Sequence, residues 1–133
     1  MQLSVAVRNA RLDAIETAIG TSPILRIRTG SAPATCATAD SGTVLAEMTC
    51  PSDWLAAAAS GAKAIAGTWQ DLLANAAGTA GHFRVYDSGG STCHIQGTCT
   101  GVGGGGDMEL INTSIAVNQP VTVTAFTITD GNA

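Results

Sequence analysis

Charge is scarce in this sequence. Of 133 residues only 12% are charged, six Lys and Arg against ten Asp and Glu, for a net charge of −4. So few basic residues leave no electrostatic footprint for DNA or RNA, which excludes a nucleic-acid partner. Aromatic residues are fewer still: two Trp, one Tyr and two Phe. Sugar grooves present exposed aromatics, and only Tyr86 falls on an expected outer strand face, which weighs against glycan recognition. No stretch reaches the roughly 18 to 20 apolar residues that span a bilayer, and the alanine-rich run 55–66 is broken by Ser60, Gly61 and Lys63, so no membrane association is expected. The opening MQLSVAVRNARLDAIETAIG has no basic start followed by an apolar block. That argues against a secretory signal and for synthesis in a cytoplasm.

Signatures of chemistry are missing as well. GxSxG and HExxH do not occur. DSGGST at 87–92 is not followed by a helical pattern, and GVGGGG at 101–106 is not closed by GK[ST], so both read as loops between strands rather than phosphate cradles. The cysteines, Cys36, Cys50, Cys93 and Cys99, have no zinc-like spacing. Cys93 and Cys99 fall on one strand, roughly 20 Å apart at about 3.3 Å per residue, beyond disulfide reach. Cys36 and Cys50 flank a strand and could meet, but a cytoplasmic origin favours free thiols. No enzymatic activity, cofactor or metal is expected.

What is present is strand after strand. The first twenty residues form the one convincing helix: Ser4 suits the N-cap, Leu12, Ile15 and Ile19 recur at helical spacing, and Gly20 suits the C-terminal stop. Arg8, Arg11, Asp13 and Glu16 are assigned to its wet side. ILRIRTG (24–30) alternates, with Leu25 and Ile27 on one face, and TVLAEMT (43–49) reads as a second strand. Between 53 and 81 the alanine content favours helix while Gly61, Gly67 and Gly78 interrupt it. The reading adopted is a pair of small-residue strands, 54–59 and 63–69, turned at Ser60-Gly61.

The hairpin 82–99 admits a register argument. Setting Phe83 and Val85 on the same face as Cys93, Ile95 and Cys99 pairs Val85 with Cys93 and Phe83 with Ile95 around a loop at 88–90, where glycine supplies the left-handed residue. His94 then lies across from Arg84, and His82 across from Gln96, all on the outer face. The last strand, 121–129, has Val121, Val123 and Ala125 on one side and Phe126 and Ile128 on the other, so a cover on both faces is expected.

The ordered strings RNARLDAIETAIG, LRIRTG, TVLAEMT, GTAGHFRVYDSGGSTCHIQGTC and MELINTSIAVNQPVTVTAFTIT resemble a family of small virion proteins of tailed bacteriophages. The similarity runs along nearly the whole chain, though the four cysteines and the long GVGGGGD turn depart from it. The resemblance implies a mainly-β, antiparallel, jelly-roll-like β-sandwich (21–133) with one N-terminal amphipathic helix (1–20). It also implies a capsid cement or decoration protein on the virion surface, made in the host cytoplasm. The partner would be the major capsid protein, and self-association as a dimer or trimer is expected. Some members of the family are tail or fibre components that bind the host surface, which is the alternative. On this reading the candidate contact residues are Leu12, Ile15 and Ile19 of the helix, Phe126 and Ile128 of the last strand, and Trp54 and Trp69 as aromatic anchors.

Overall fold

A computed structural model describes residues 1–131. One helix, α1 (Val5–Ile19), precedes nine strands: β1 (Ile24–Thr29), β2 (Val44–Thr49), β3 (Ala62–Ala64), β4 (Gln70–Asp71), β5 (Gly78–Tyr86), β6 (Cys93–Gly101), β7 (Met108–Leu110), β8 (Ser114–Ile115) and β9 (Val121–Thr129). The mainly-β class with a single helix holds. The strands do not separate into two facing antiparallel sheets, however. They join in one curled sheet of order β2-β1-β5-β6-β7-β9-β3, with β4 on β9 and β8 on β5, and β6 pairs with β7 in parallel.

The helix follows its sequence signals. The Ser4 side chain accepts the Val7 N–H at 3.3 Å, and the Gly20 N–H donates to the Glu16 carbonyl at 2.9 Å. Leu12 and Ile19 are buried. The polar side of the helix is less wet than expected. Arg8 donates to the Asp130 carbonyl at 2.6 Å, and Lys63, only 2% exposed, sets its ammonium between Asp13 (2.7 Å) and Glu16 (2.9 Å). The Ala56 carbonyl accepts from the same ammonium at 2.9 Å, so all three donors of this buried cation are used, as burial requires.

In the alanine-rich stretch the hairpin reading holds in a shortened form. Ser60 (φ 53) and Gly61 (φ 76) are both left-handed, and Ala59 and Ala62 exchange both backbone hydrogen bonds at 2.9 Å. This is the two-residue turn that matches strand twist. Only Ala62–Ala64 continues as strand, with a bridge between Leu55 and Ile65. A side chain at Gly61 would run into the Arg8 guanidinium, so the turn also sets how closely α1 can dock.

Two β-bulges overturn parts of the register expected from alternation. In β5–β6 the pairs are Val85↔Ile95, Arg84↔Gln96, Phe83↔Gly97 and His82↔Thr98, and a bulge then sets Tyr86 opposite Cys93. The extra residue is His94, so Cys93 turns away from the core to the side of Arg84, whose Nε donates to its Sγ at 3.1 Å. The loop is also larger than expected. Asp87 closes it by accepting the Ser91 and Thr92 N–H groups at 2.8 and 3.0 Å. In β9 the pairing steps from Ala125 to Val123 against Glu109 and Leu110, leaving Thr124 as the extra residue. Val121, Val123 and Phe126 therefore share one buried face while Ala125 is exposed. The two apolar sides of the sequence become one, and the second cover expected over this strand is not required.

The core is continuous. Its aromatic spine runs Trp54–Trp69 (5.7 Å between centroids), Trp69–Phe126 (5.7 Å) and Phe126–Phe83 (5.4 Å, edge to face).

The glycine run is built rather than slack. Residues 102–107 double the chain back so that β7 lies parallel beside β6, a relation that ordinarily needs a crossover of a dozen or more residues. The Gly106 N–H donates to Thr100 Oγ1 at 3.0 Å and the Asp107 N–H to Thr98 Oγ1 at 3.1 Å. Side chains at Gly104 or Gly106 would strike Thr100 at 2.6 and 2.8 Å.

Candidate functional site

Three places gather polar or exposed apolar groups. The first lies under residues 31–42, which cover the outer face of β1 and β5. The sequence assigns this face to solvent, but Arg84 is 1% exposed, and His82 and Tyr86 are buried. Every N–H of the Arg84 guanidinium group has a use: Nη1 donates to the Thr38 carbonyl (3.1 Å) and to Asp40 (2.5 Å), Nη2 to the Thr35 and Cys36 carbonyls (3.3 and 2.7 Å), and Nε to Cys93. Asp40 also receives Arg28 at 2.5 Å and the Tyr86 hydroxyl at 2.6 Å. Burial alone would raise the Asp40 pKa, but the Tyr86 hydrogen bond and the two guanidinium groups outweigh it and hold it below the ordinary carboxylate value. The Arg84 donors are all taken within the chain and pin the loop, while Arg28 Nε and His82 Nε2 on the same face are buried without a hydrogen-bond partner among the described residues.

The two histidines are not a pair. His82 Nδ1 donates to the Gly30 carbonyl at 2.9 Å from a buried position, while His94 is exposed on the bulge. Among the described residues no group of three or more His, Cys, Asp or Glu is placed to hold a metal ion. The four thiols are free, with Cys50 and Cys99 in the core and Cys36 and Cys93 half-buried under the loop. No helix is long and apolar enough to cross a membrane.

The second place is an end of the sheet where Leu72, Leu73 and Val117 are each more than half exposed. Their two segments are joined, since the Ala74 N–H donates to the Gln119 carbonyl at 3.0 Å and the Asn118 N–H to the Ala74 carbonyl at 2.9 Å. The sequence reading overlooked these residues. The doublet Leu72-Leu73 sits among turn formers, and that was the available signal.

The third is an open groove of about 520 Å³ between β6 and β9, backed by α1 and lined by Ile15, Ala18, Ile95, Phe126 and Ile128 among others. It brings together part of the predicted contact set. Ile15 and Ile128 are half-buried in its wall, Ile19 and Phe126 lie deeper, and Leu12 is in the core. Trp54 and Trp69, at 0% and 1% exposure, are interior residues. Their indole N–H groups donate to the Gly20 and Ala66 carbonyls at 3.0 and 3.2 Å, so as anchors they hold this chain together and present no surface to another. Comparison with protein-family profiles, with curated proteins and with solved structures finds no match to this chain.

Proposed function

We propose that this chain is a virion structural protein that works by contact, a capsid cement protein that binds the major capsid protein and stiffens the shell. The observation that carries the reading is the cluster of Leu72, Leu73 and Val117 at one end of a stable sheet. Large apolar side chains grouped and exposed on a small protein mark an interaction surface. The resemblance of the sequence to small tailed-phage virion proteins supplies the partner, and the use of every Arg84 and Lys63 donor within the chain supports a role by contact rather than by turnover. Burial at such an interface contributes roughly 25 cal/mol per Å² of apolar surface before the cost of association.

The test is reconstitution. Purified protein is added to capsids assembled without it, and bound copies per particle are counted after sedimentation. Hundreds of copies per shell, and loss of binding in the Leu72→Asp/Leu73→Asp variant, are the expected results. A few tens or fewer copies per particle point to a tail or fibre component instead. Failure to bind the shell removes the cement reading.

A further inference from the structure

The groove between β6 and β9 is bordered by strand backbone on both sides. On β3, Ala62 exchanges its hydrogen bonds with Ala59 and the Ala64 carbonyl accepts from Ala56, so Lys63 is left as the β3 residue that bonds β9, opposite Ile128. The Phe126 carbonyl and Asp130 N–H also point to that side, towards Ile65 and Gly61. By the alternation of a strand, the peptide groups of Thr127 and Thr129 point the other way. The Met108↔Phe126 pairing sets the Thr127 N–H towards the Asp107 carbonyl, and the Thr127 carbonyl and the Thr129 peptide group face the groove. On the facing rim the Thr98 N–H points away from β5, since it donates to Asp107 Oδ2 at 2.8 Å. The peptide group of Gln96, two residues back, points the same way. Strand β7 joins β6 to β9 only from Met108 to Leu110. Ahead of it the Asp107 carboxylate plugs the line, and beyond Asp107 no strand pairing occupies the groove side of either rim among the described residues.

The floor between the rims is apolar, made by Ile15, Ala18, Ile95, Phe126 and Ile128. Gly97 widens it, because a side chain there would meet the Phe83 ring at 2.8 Å. Asp107 lines the end nearest β7 and also an adjoining hollow, where Glu109 stands beside it. Thr98 holds Asp107 ionised by donating from its backbone and its hydroxyl, which lowers the carboxyl pKa against the opposing effect of burial.

We propose that this groove is a strand acceptor, which takes an extended segment of another polypeptide in line with β7, with apolar residues at alternate positions and a Lys or Arg at the end beside Asp107 and Glu109. Two rims of unpaired peptide groups specify a backbone with donors and acceptors every second residue. A compact apolar ligand would leave both rims unsatisfied. The floor selects alternate apolar side chains, and the two carboxylates select the terminal cation. The inference concerns the isolated chain and stands whether or not the chain belongs to a virion.

The experiment uses the whole protein and the fluorescein-labelled peptide acetyl-Thr-Val-Thr-Val-Thr-Lys-amide, a version with Ile for Val, and a third with both valines N-methylated. Anisotropy measures binding, and amide hydrogen exchange by NMR reads the rims. The expected result is saturable binding of the first two peptides. Tenfold or greater slowing of exchange at Gln96 and Thr129 accompanies it, and N-methylation weakens binding at least tenfold. Ala18→Trp, at an exposed groove position, should weaken binding at least tenfold with the urea midpoint unchanged. Equal binding of the N-methylated peptide would show an apolar pocket only and overturn the proposal. So would no saturable binding of either unmodified peptide at about 1 mM. Protection of the same amides that rises with protein concentration in the absence of peptide would assign the groove to a second copy of the chain and likewise overturn it.

Discussion

Arg84 and Asp40 show how a few polar groups hold an irregular segment. The loop 31–42 has little apolar surface of its own, and its carbonyls at Thr35, Cys36 and Thr38 are satisfied by one guanidinium group. Removing the carboxylate leaves Arg84 and Arg28 buried without their partner. Asp40→Asn is expected to cost roughly 2 to 3 kcal/mol in urea unfolding, less than a fully buried pair because a third of Asp40 remains in water. The pH dependence has a definite sign. The folded-state pKa of Asp40 lies below its ordinary 3.8, so its contribution is fully present above about pH 4 and is lost as pH falls through the lower folded value. Urea midpoints from pH 7 to pH 2.5 should fall at the acid end, and Asp40→Asn should flatten that fall. The thiols give a second residue-level test. Burial pushes Cys50 and Cys99 up to about 12, so at pH 8 iodoacetamide should modify Cys36 in the native protein while leaving those two intact until urea is added. Mass spectrometry reads the order.

At the scale of elements, the helix is tied to the sheet by buried Leu12 and Ile19, by the buried Lys63 ammonium and by Arg8 on the Asp130 carbonyl. Leu12→Ala should destabilise by about 3 kcal/mol, the usual cost of truncating a buried leucine. Lys63→Met should speed hydrogen exchange along α1 more than along β1 and β5, since it strips Asp13 and Glu16 of their partner and leaves the central strands unaltered. Helix limits, cap residues and the Ser60-Gly61 turn were legible in the sequence because each depends on residues a few positions apart. Strand faces were legible only up to a bulge. His94 and Thr124 each insert one residue, and everything beyond them changes side, which is why Cys93 left the core and why β9 looked apolar on both faces. No local pattern marks an extra residue, because its place is set by the partner strand.

For the whole molecule, the exposed trio Leu72, Leu73 and Val117 separates stability from assembly. Leu72→Asp/Leu73→Asp should leave the urea midpoint within about 0.5 kcal/mol of the parent, as exposed substitutions do. Any self-association seen by analytical ultracentrifugation should fall with it. A large loss of stability in this variant would mean that the patch is needed by the fold and not by a partner.

By itself the sequence determined the mainly-β class, the single helix with its caps, the absence of a bilayer-spanning helix and the interior character of most apolar residues. Periodicity, capping chemistry and composition act over short distances, and these conclusions need nothing more. The tertiary structure alone decided that the strands form one curled sheet, that loop 31–42 seals a face that alternation assigns to water, and that the glycine run folds back to start a parallel strand. It also decided that β6 and β9 part beyond Asp107 and leave two rims of peptide groups over an apolar floor. Each of these depends on which distant segments meet, and a chain short of charge and aromatic residues carries few marks of that choice.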